Sequence, residues 1–364
     1  MSTAALRTPL CDLLGCEYPI IQTAMGWVAG ADLVAGTTNA GGFGFLAGAT
    51  IAADKIEAEI LKVKRLTDDR PFGLNFHMFQ PNAQQLLDLA VKYRLRAVSY
   101  GRGPDKAVIG RLRDAGIVCM PTVGALKHAQ KAIEMGANVI TVQGGEGGGH
   151  TGSVPTTVLL PQVVDAVNVP VVAAGGFYDG RGLLAALAYG AQGIAMGTRF
   201  LMTSDSKVPE ATLQRYVQTR DAEKIAISYL VDGMPQRMIP NEYMQMLEKA
   251  SPFKRLRIAL SLAMQWKSMT GMTTGQAAST FLKALREDSS SVAQTVMAAN
   301  APMLLQRSMV EGKPAEGVMS AGQVAALIGR LDSCEDVIQG MVRQAMERSH
   351  ALSAMTQQCE PVPA

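Results

Sequence analysis

The chain has 364 residues, of which 48% are apolar and 18% are charged, and its formal net charge is +3. This composition supports a large buried core and excludes a disordered chain, a collagen, a coiled coil and a disulfide-rich miniprotein. The small net charge gives no reason to expect nucleic-acid binding. Polar residues interrupt the apolar runs well before a membrane span of about 20 residues, so no membrane association is expected.

The five cysteines include no CxxC pair, and an odd number cannot fully pair within one chain. No signal-peptide pattern opens the sequence, so we expect a reducing, cytoplasmic location. The sequence contains no HExxH, no GxSxG, no P-loop and no Cys/His cluster with metal-ligand spacing. We therefore predict no metal site, and a metal enzyme or a hydrolase has little support.

Eight short apolar runs alternate with helical patterns and are predicted as β-strands. They are nearly continuous in apolar residues, as parallel strands buried on both faces require. The predicted strands are 19–23, 43–46, 72–77, 97–100, 118–123, 139–142, 169–173 and 193–197. The predicted helices between them are 31–39, 54–66, 82–93, 105–115, 126–135, 159–167 and 180–189. Eight successive units favour an α/β fold of the (β/α)8 TIM-barrel type over a doubly wound open sheet.

The strand series ends near Phe200, and helical patterns with no clear strand series follow it. These patterns lie at 209–219, 243–248, 275–285 and 291–299, and a further amphipathic helix is predicted at 320–331. We therefore predict three parts: a barrel over 1–204, an inserted helical lid or substrate domain over 205–316, and C-terminal helices over 317–364 that return to the barrel. Residues from Cys359 onward are expected to fray.

The loop after the sixth strand carries the strongest candidate for catalysis. Five of the six residues from 144 to 149 are glycine, and His150 follows them directly. Glycines allow backbone to lie against a flat ligand, and imidazole is the usual proton-transfer group near neutral pH. Active sites of such barrels lie in the loops at the carboxyl ends of the strands. We therefore predict His150 as the catalytic residue.

Two more glycine sites follow the seventh and eighth strands, at Gly175-Gly176 and at Gly197-Thr198. Backbone N–H groups in these two loops are typical phosphate ligands in TIM barrels. Asp179 is interpreted as the N-cap of the next helix, because its charge would repel a phosphate.

Three further candidates have competing interpretations. Trp27 either forms a pocket wall or packs in the core. Asn75 and His77 lie two residues apart and therefore on one face of the strand. Asn75 is a candidate to hydrogen-bond a heterocycle, and His77 is interpreted as an interior or rim residue whose hydrogen bonds are satisfied within the protein. The basic run around Lys254 and Arg255 either binds the phosphate groups of a substrate or is a solvated helix face.

These segments resemble the nitronate monooxygenase (2-nitropropane dioxygenase) family of FMN-dependent barrels, which includes FMN-containing enoyl-ACP reductases. The matching segments are PIIQTAMGWVAGA (19–31), NAGGFGFLA (39–47), PFGLNF (71–76), GGEGGGHTG (144–152), VVAAGGFYDGRGLLAALAYGA (171–191), MGTRFL (196–201) and SAGQVAALI (320–328). A narrower resemblance, which includes LMTSDSKVP, VDGMPQRMI and MAANAPMLL, is to a branch that acts on CoA thioesters in bacterial steroid ring C/D degradation.

The resemblance implies FMN as the cofactor and assigns residues to it. The implied flavin contacts are Ala24, Met25 and Gly26 through backbone, then Asn75, Thr122 and Gln143, with Gly148 and Gly149 beside the isoalloxazine. The implied phosphate ligands are Gly175, Gly176, Gly197 and Thr198, and His150 matches the active-site histidine of the family. Trp27, Lys254 and Arg255 are the candidate substrate-binding residues.

We therefore expect an FMN-dependent oxidoreductase that exchanges a hydride between flavin N5 and a bulky, steroid-derived indane-carboxyl-CoA thioester, with His150 as acid or base. Two other enzymatic interpretations stay open: a nitronate monooxygenase that uses O₂, and an enoyl-thioester or quinone reductase that uses NAD(P)H. A flavin-binding protein without turnover is the non-enzymatic alternative. The expected partner is a small-molecule substrate, and a homodimer is possible.

Overall fold

The computed structural model describes residues 6–78, 80, 82–101, 103, 106–270, 275 and 300–357. Eight parallel strands close into a barrel in chain order, with β7 outside it. The barrel strands are β1 (Ile20–Gln22), β2 (Phe43–Leu46), β3 (Gly73–Asn75), β4 (Ala97–Tyr100), β5 (Val118–Val123), β6 (Ile140–Gln143), β8 (Val171–Ala174) and β9 (Gly193–Met196). The predicted TIM barrel and its eight strands are confirmed.

Helices surround the barrel and bury one apolar stripe each. In α3 (Ile56–Leu66), for example, Ile56, Ile60 and Val63 are buried while the intervening charges face water. The other helices of this layer are α1 (Pro9–Leu14), α2 (Ala31–Asn39), α4 (Ala83–Lys92), α5 (Lys106–Asp114), α6 (Leu126–Glu134), α7 (Thr156–Val164), α8 (Gly180–Ala188) and the short α9 (Thr198–Leu201). Asp179 caps α8 as predicted, because its carboxylate accepts from the N–H groups of Arg181 and Gly182.

Helix α7 begins three residues before the predicted start at 159. The Glu146 carboxylate accepts hydrogen bonds from the N–H and the hydroxyl of Thr156. This side chain satisfies a donor that the first turn of a helix otherwise leaves open, so the helix starts at Thr156.

The segment 205–316, which shows no clear strand series in the sequence, contains two short strands that sequence analysis did not find. Strands β10 (Ala226–Ser228) and β11 (Gln236–Met238) form an antiparallel hairpin, and β11 also pairs with β7 (Gly149–His150). Each of these strands has only two or three residues, too few to show a period in the sequence. The hairpin brings the segment after the barrel into contact with the glycine-rich loop.

The predicted helix at 320–331 is also wrong, since this segment holds only a 3₁₀ helix at Gln323–Leu327. The N–H of Gly322 donates to the hydroxyl of Thr198, and the N–H of Gln323 donates to the carbonyl of Glu146. These bonds draw the segment across the barrel mouth and hold it against the loops that follow β6 and β9.

Five more helices are described. They are α10 (Glu210–Gln218), α11 (Glu242–Lys249), α12 (Pro252–Thr270), α13 (Asn300–Met309) and α14 (Cys334–Gln357). The predicted helices at 209–219 and 243–248 are confirmed. The predicted helices at 275–285 and 291–299 lie outside the described residues, except for Gly275. The fraying predicted from Cys359 onward also lies outside them.

Residues beyond the barrel form their own apolar cluster around the hairpin. Val231, Met238, Tyr243, Leu262 and Leu304 belong to it. Helix α14 instead packs against α2 and α8 on the barrel wall. The three-part division at 204 and 316 stays a prediction. Within the described residues, no helix is both long and apolar enough to cross a bilayer.

Gly180 tests the contact between α8 and α14. A Cβ on Gly180 would collide with the backbone oxygen of Met341 and the backbone nitrogen of Ala345, neither of which can rotate away. We expect Gly180→Ala to lower the free energy of unfolding by about 1–3 kcal/mol, measured by urea denaturation. Gly110→Ala is the matched control, because its Cβ would meet no atom within 4 Å and should be neutral or slightly stabilising. Equal effects of the two changes would contradict this packing.

Candidate active site

His150 lies on β7 at the barrel mouth and is held by the neighbouring hairpin. It stands directly opposite Gln236 in the ladder between β7 and β11. Its Nε2 lies 2.7 Å from Oδ2 of Asp232, and about half of the His150 side chain is exposed while Asp232 is buried. The predicted catalytic histidine is therefore paired with a buried carboxylate that sequence analysis missed.

Asp232 has three hydrogen-bond donors around its carboxylate. Oδ1 accepts from the N–H of Met234, and Oδ2 accepts from Nε2 of Gln236 at 2.6 Å and from His150. A buried carboxylate needs such donors, since desolvation without them is very unfavourable. A carboxylate oxygen only accepts, so this contact favours the tautomer of His150 with its proton on Nε2 and its lone pair on Nδ1, while Nε2 of Gln236 also lies 3.1 Å from Nε2 of His150.

The glycine-rich loop is shaped first by contacts within the protein. A Cβ on Gly147 would meet the Gln143 amide at 2.7 Å, and one on Gly148 would meet the nitrogen of Gly322 at 2.5 Å. Gly149 differs, with φ of +67° and no atom within 4 Å of its Cβ position. A Cβ on Gly144 would likewise meet the backbone nitrogen of Thr156 at 2.5 Å, so the loop needs glycine for its own packing at Gly144, Gly147 and Gly148, while Gly149 faces open space.

Two side chains anchor the loop that carries His150. Gln143 donates from Nε2 to the backbone oxygen of His150 at 2.8 Å. Arg237 donates to the backbone oxygens of Gly145 and Ile225, which ties the loop to the hairpin. Burial lowers the pKa of Arg237, and the nearby Glu146 carboxylate opposes this change.

The predicted phosphate ligands lie together at the ends of β8 and β9. Gly175 and Gly176 have φ of +90° and +83°, a conformation that favours glycine. Among the described residues, none provides an acceptor for the N–H groups of Gly176, Gly197 and Thr198. Open N–H donors at neighbouring strand ends fit the phosphate of FMN.

The other implied flavin residues lie around the same mouth and are partly buried. Asn75 donates from Nδ2 to the backbone oxygen and the hydroxyl of Ser99, which leaves its Oδ1 as an acceptor. Ala24, Met25 and Gly26 follow β1, and Thr122 lies near the end of β5. The residues present therefore fit a flavin mononucleotide, although contacts to it stay a prediction.

The candidate substrate residues differ in their surroundings. Trp27 has φ of +67°, and its Nε1 donates to the backbone oxygen of Pro302 in α13 at 2.9 Å. It thereby links the first barrel loop to the helices beyond the barrel. The hydrogen bonds of Arg255 found within the described chain end on the oxygens of Leu247 and Glu248 at the end of α11. Lys254 is exposed. Its ammonium group is therefore the better placed of the two to bind a phosphate, as predicted for the pair.

His77 is a second histidine of the mouth, which sequence analysis interpreted as a satisfied interior or rim residue. Its backbone N–H donates to Oε1 of Gln80. Its side chain reaches solvent but has protein packed around it, and this partial desolvation lowers the pKa of His77, while the charge of nearby His150 lowers it further. The sequence signal for His77 was its spacing of two residues from Asn75, which places both residues on one face of the predicted strand.

The sequence profile of the nitronate monooxygenase family matches residues 7–344. The chain belongs to the nitronate monooxygenase family. It is 47% identical to the (3aS,4S,5R,7aS)-5-hydroxy-7a-methyl-1-oxo-octahydro-1H-indene-4-carboxyl-CoA dehydrogenase of Rhodococcus jostii, over 98% of this chain and 99% of that protein. The enzyme of the same name from Mycobacterium tuberculosis is 45% identical, over 97% and 99%. A probable nitronate monooxygenase of Staphylococcus saprophyticus is 30% identical, over 67% and 81%.

Solved structures share the fold of this chain. FabK from Thermotoga maritima has a TM-score of 0.75 at 28% identity, covering 96% of this chain and 99% of that one. A nitroalkane oxidase from Streptomyces ansochromogenes has a TM-score of 0.74 at 25% identity, covering 95% and 100%. The protein is therefore an oxidoreductase of this family. In the described residues, no group of three or more acidic, histidine or cysteine side chains is arranged to hold a metal ion.

The lowered pKa of His77 predicts a pH dependence of stability. The folded protein disfavours the charged ring, so the unfolded chain binds more protons as the pH falls below the usual histidine value of 6.5. Stability is therefore lost on acidification through that value. We expect His77→Gln to raise the melting temperature relative to the wild type more at about pH 5 than at about pH 8.

Thermal denaturation at the two pH values measures this difference. His128→Gln, a change on the exposed outer face of α6, is the matched control. An advantage of His77→Gln that is the same at both pH values would contradict the assigned environment of His77.

Proposed function

We propose that this protein is an FMN-dependent oxidoreductase that oxidises a CoA thioester of a hydroxylated indane-carboxylic acid, with His150 as the base. The observation that carries the proposal is the His150–Asp232 pair, held at the barrel mouth by the β10–β11 hairpin. The named CoA dehydrogenases are similar over 97–98% of this chain, which includes that hairpin. The staphylococcal monooxygenase matches over only 67% of it.

FMN, when bound, supplies the acceptor for the hydride that leaves the substrate carbon. The N–H groups of Gly176, Gly197 and Thr198 hold its phosphate, and Asn75 together with the backbone of Ala24 to Gly26 orients the ring. Because each of these donors is fixed by the barrel, the ring is positioned without a large movement of the protein.

His150 takes the proton that the substrate loses in the oxidation. Nε2 is committed to Asp232 at 2.7 Å, so Nδ1 is the accepting atom. The buried carboxylate stabilises the positive charge that the ring then acquires, and Gln236 keeps that carboxylate in place. Gln143 fixes the backbone of His150, which limits the movement of the ring relative to the substrate.

Anaerobic titration of the FMN-loaded protein tests the proposal. We expect the visible flavin bands to bleach on addition of a hydroxylated indane-carboxyl-CoA, because the thioester delivers its hydride in the absence of O₂. Propyl nitronate and NAD(P)H serve as the competing reagents. Bleaching by the nitronate alone would favour a monooxygenase, and bleaching by NAD(P)H alone would favour a reductase. No flavin bands after FMN addition would contradict the cofactor assignment.

The same experiment with His150→Gln separates proton transfer from cofactor binding. We expect this variant to bind FMN as the wild type does and to bleach about 10²–10⁴-fold more slowly, because the general base is lost. His128→Gln, a change at an exposed residue of α6, is the matched control. A His150→Gln protein that bleaches at the wild-type rate would remove His150 from the proposed role.

A further inference from the structure

Helix α1 closes the end of the barrel opposite to the mouth. Thr8 donates to the backbone oxygen of Gln192, and Arg96 donates to that of Leu13, so the helix lies against the starts of β9 and β4. Cys11 and Cys16 lie on its inner side, within the apolar cluster that fills this end of the barrel. Both thiols are free and buried.

The end of α1 brings these two cysteines together. Gly15 has φ of +73°, and the N–H groups of Gly15 and Cys16 both donate to the backbone oxygen of Cys11, at 2.8 and 3.1 Å. This is the Schellman type of helix end, in which the residues at its two ends pack side by side. A direct bond between their main chains keeps the residues within the roughly 4–7 Å that a disulfide spans between Cα atoms.

The surroundings favour reaction at Cys11. A hydrogen bond from the Cys16 thiol, with further support from Thr8 and Arg7, lowers the pKa of Cys11 below the usual cysteine value. The pKa of Cys16 is raised in turn, chiefly by its bond to Cys11. Cys119 and Cys334 behave differently, because burial raises the pKa of each to about 12. A thiolate is the reactive form of cysteine, so Cys11 is distinguished from these two.

We propose that Cys11 and Cys16 are a site of reversible oxidation, at which hydrogen peroxide converts the two thiols into a disulfide. The Cys11 thiolate attacks one peroxide oxygen and breaks the O–O bond, which gives a sulfenic acid and, after protonation, one water. The Cys16 thiol then attacks the sulfenic sulfur and displaces a second water. Two sulfurs are oxidised, and the peroxide is reduced to two waters.

Access to the pair requires only local movement. Cys16 keeps 8% of its surface exposed, and α1 is a six-residue helix near the beginning of the described chain. The hydrogen bonds of the Gly15 turn run from Gly15 and Cys16 to Cys11, so opening the turn breaks bonds within this segment alone. The inference concerns the end of the barrel away from His150 and does not depend on the reaction proposed above.

Peptide mapping of the full, FMN-loaded protein tests the pair. The reduced protein is treated with hydrogen peroxide, blocked with N-ethylmaleimide and denatured. Asp12 lies between the two cysteines, so cleavage before Asp12 separates them unless a disulfide joins the fragments. We expect the two fragments to remain joined, the count of free thiols to fall from the five of the chain to three, and dithiothreitol to reverse both changes.

Two variants make the result specific. Cys16→Ser should keep all four remaining cysteines unbridged and accumulate a sulfenic acid at Cys11 that dimedone traps. Cys119→Ser should still lose two thiols. An unchanged thiol count in the wild type, or a bridge to another cysteine, would overturn the proposal.

Discussion

The hydrogen bond between His150 and Asp232 is the contact on which the candidate site depends. It joins the glycine-rich loop of the barrel to the hairpin that follows it, and each side fixes the other. Asp232 is buried, so it requires the donors that His150, Gln236 and the backbone of Met234 provide. His150 in turn has one nitrogen committed and one available. A barrel without the hairpin would keep the histidine but lose the group that sets its tautomer.

The glycine-rich loop shows how packing and function share the same residues. Gly147 and Gly148 make room for Gln143 and for the Ala321–Gly322 segment. Those neighbours then hold the backbone of His150 and bridge to Thr198. The loop is thus closely packed on the protein side, and Gly149 presents its open side to the mouth. The glycines of this loop therefore serve two purposes: some make room for neighbouring protein atoms, and Gly149 leaves space in which a ligand can lie against the backbone.

The barrel was predictable because each strand is a local apolar run and each helix shows its own period. His150 was predictable for a similar reason, since it follows an unusual run of glycines in a loop at a strand end. Asp232, Gln236 and the hairpin were not, because strands of two or three residues have no visible pattern and their pairing depends on contacts some 80 residues apart. The segment VDGMPQRMI, already noted for its resemblance, contains both missed residues. The segment 320–331 was predicted as a helix from its local apolar pattern, whereas Thr198 and Glu146, both distant in sequence, hold it across the barrel mouth.

The tautomer of His150 tests the central claim most directly. The chain has four histidines, so a long-range ¹H–¹⁵N spectrum of histidine-labelled protein at about pH 8 can be assigned with single substitutions. Our account predicts that His150 carries its proton on Nε2 and that Asp232→Asn changes this signal while leaving that of His128 unchanged. A proton on Nδ1 in the wild type, or no response to Asp232→Asn, would contradict it.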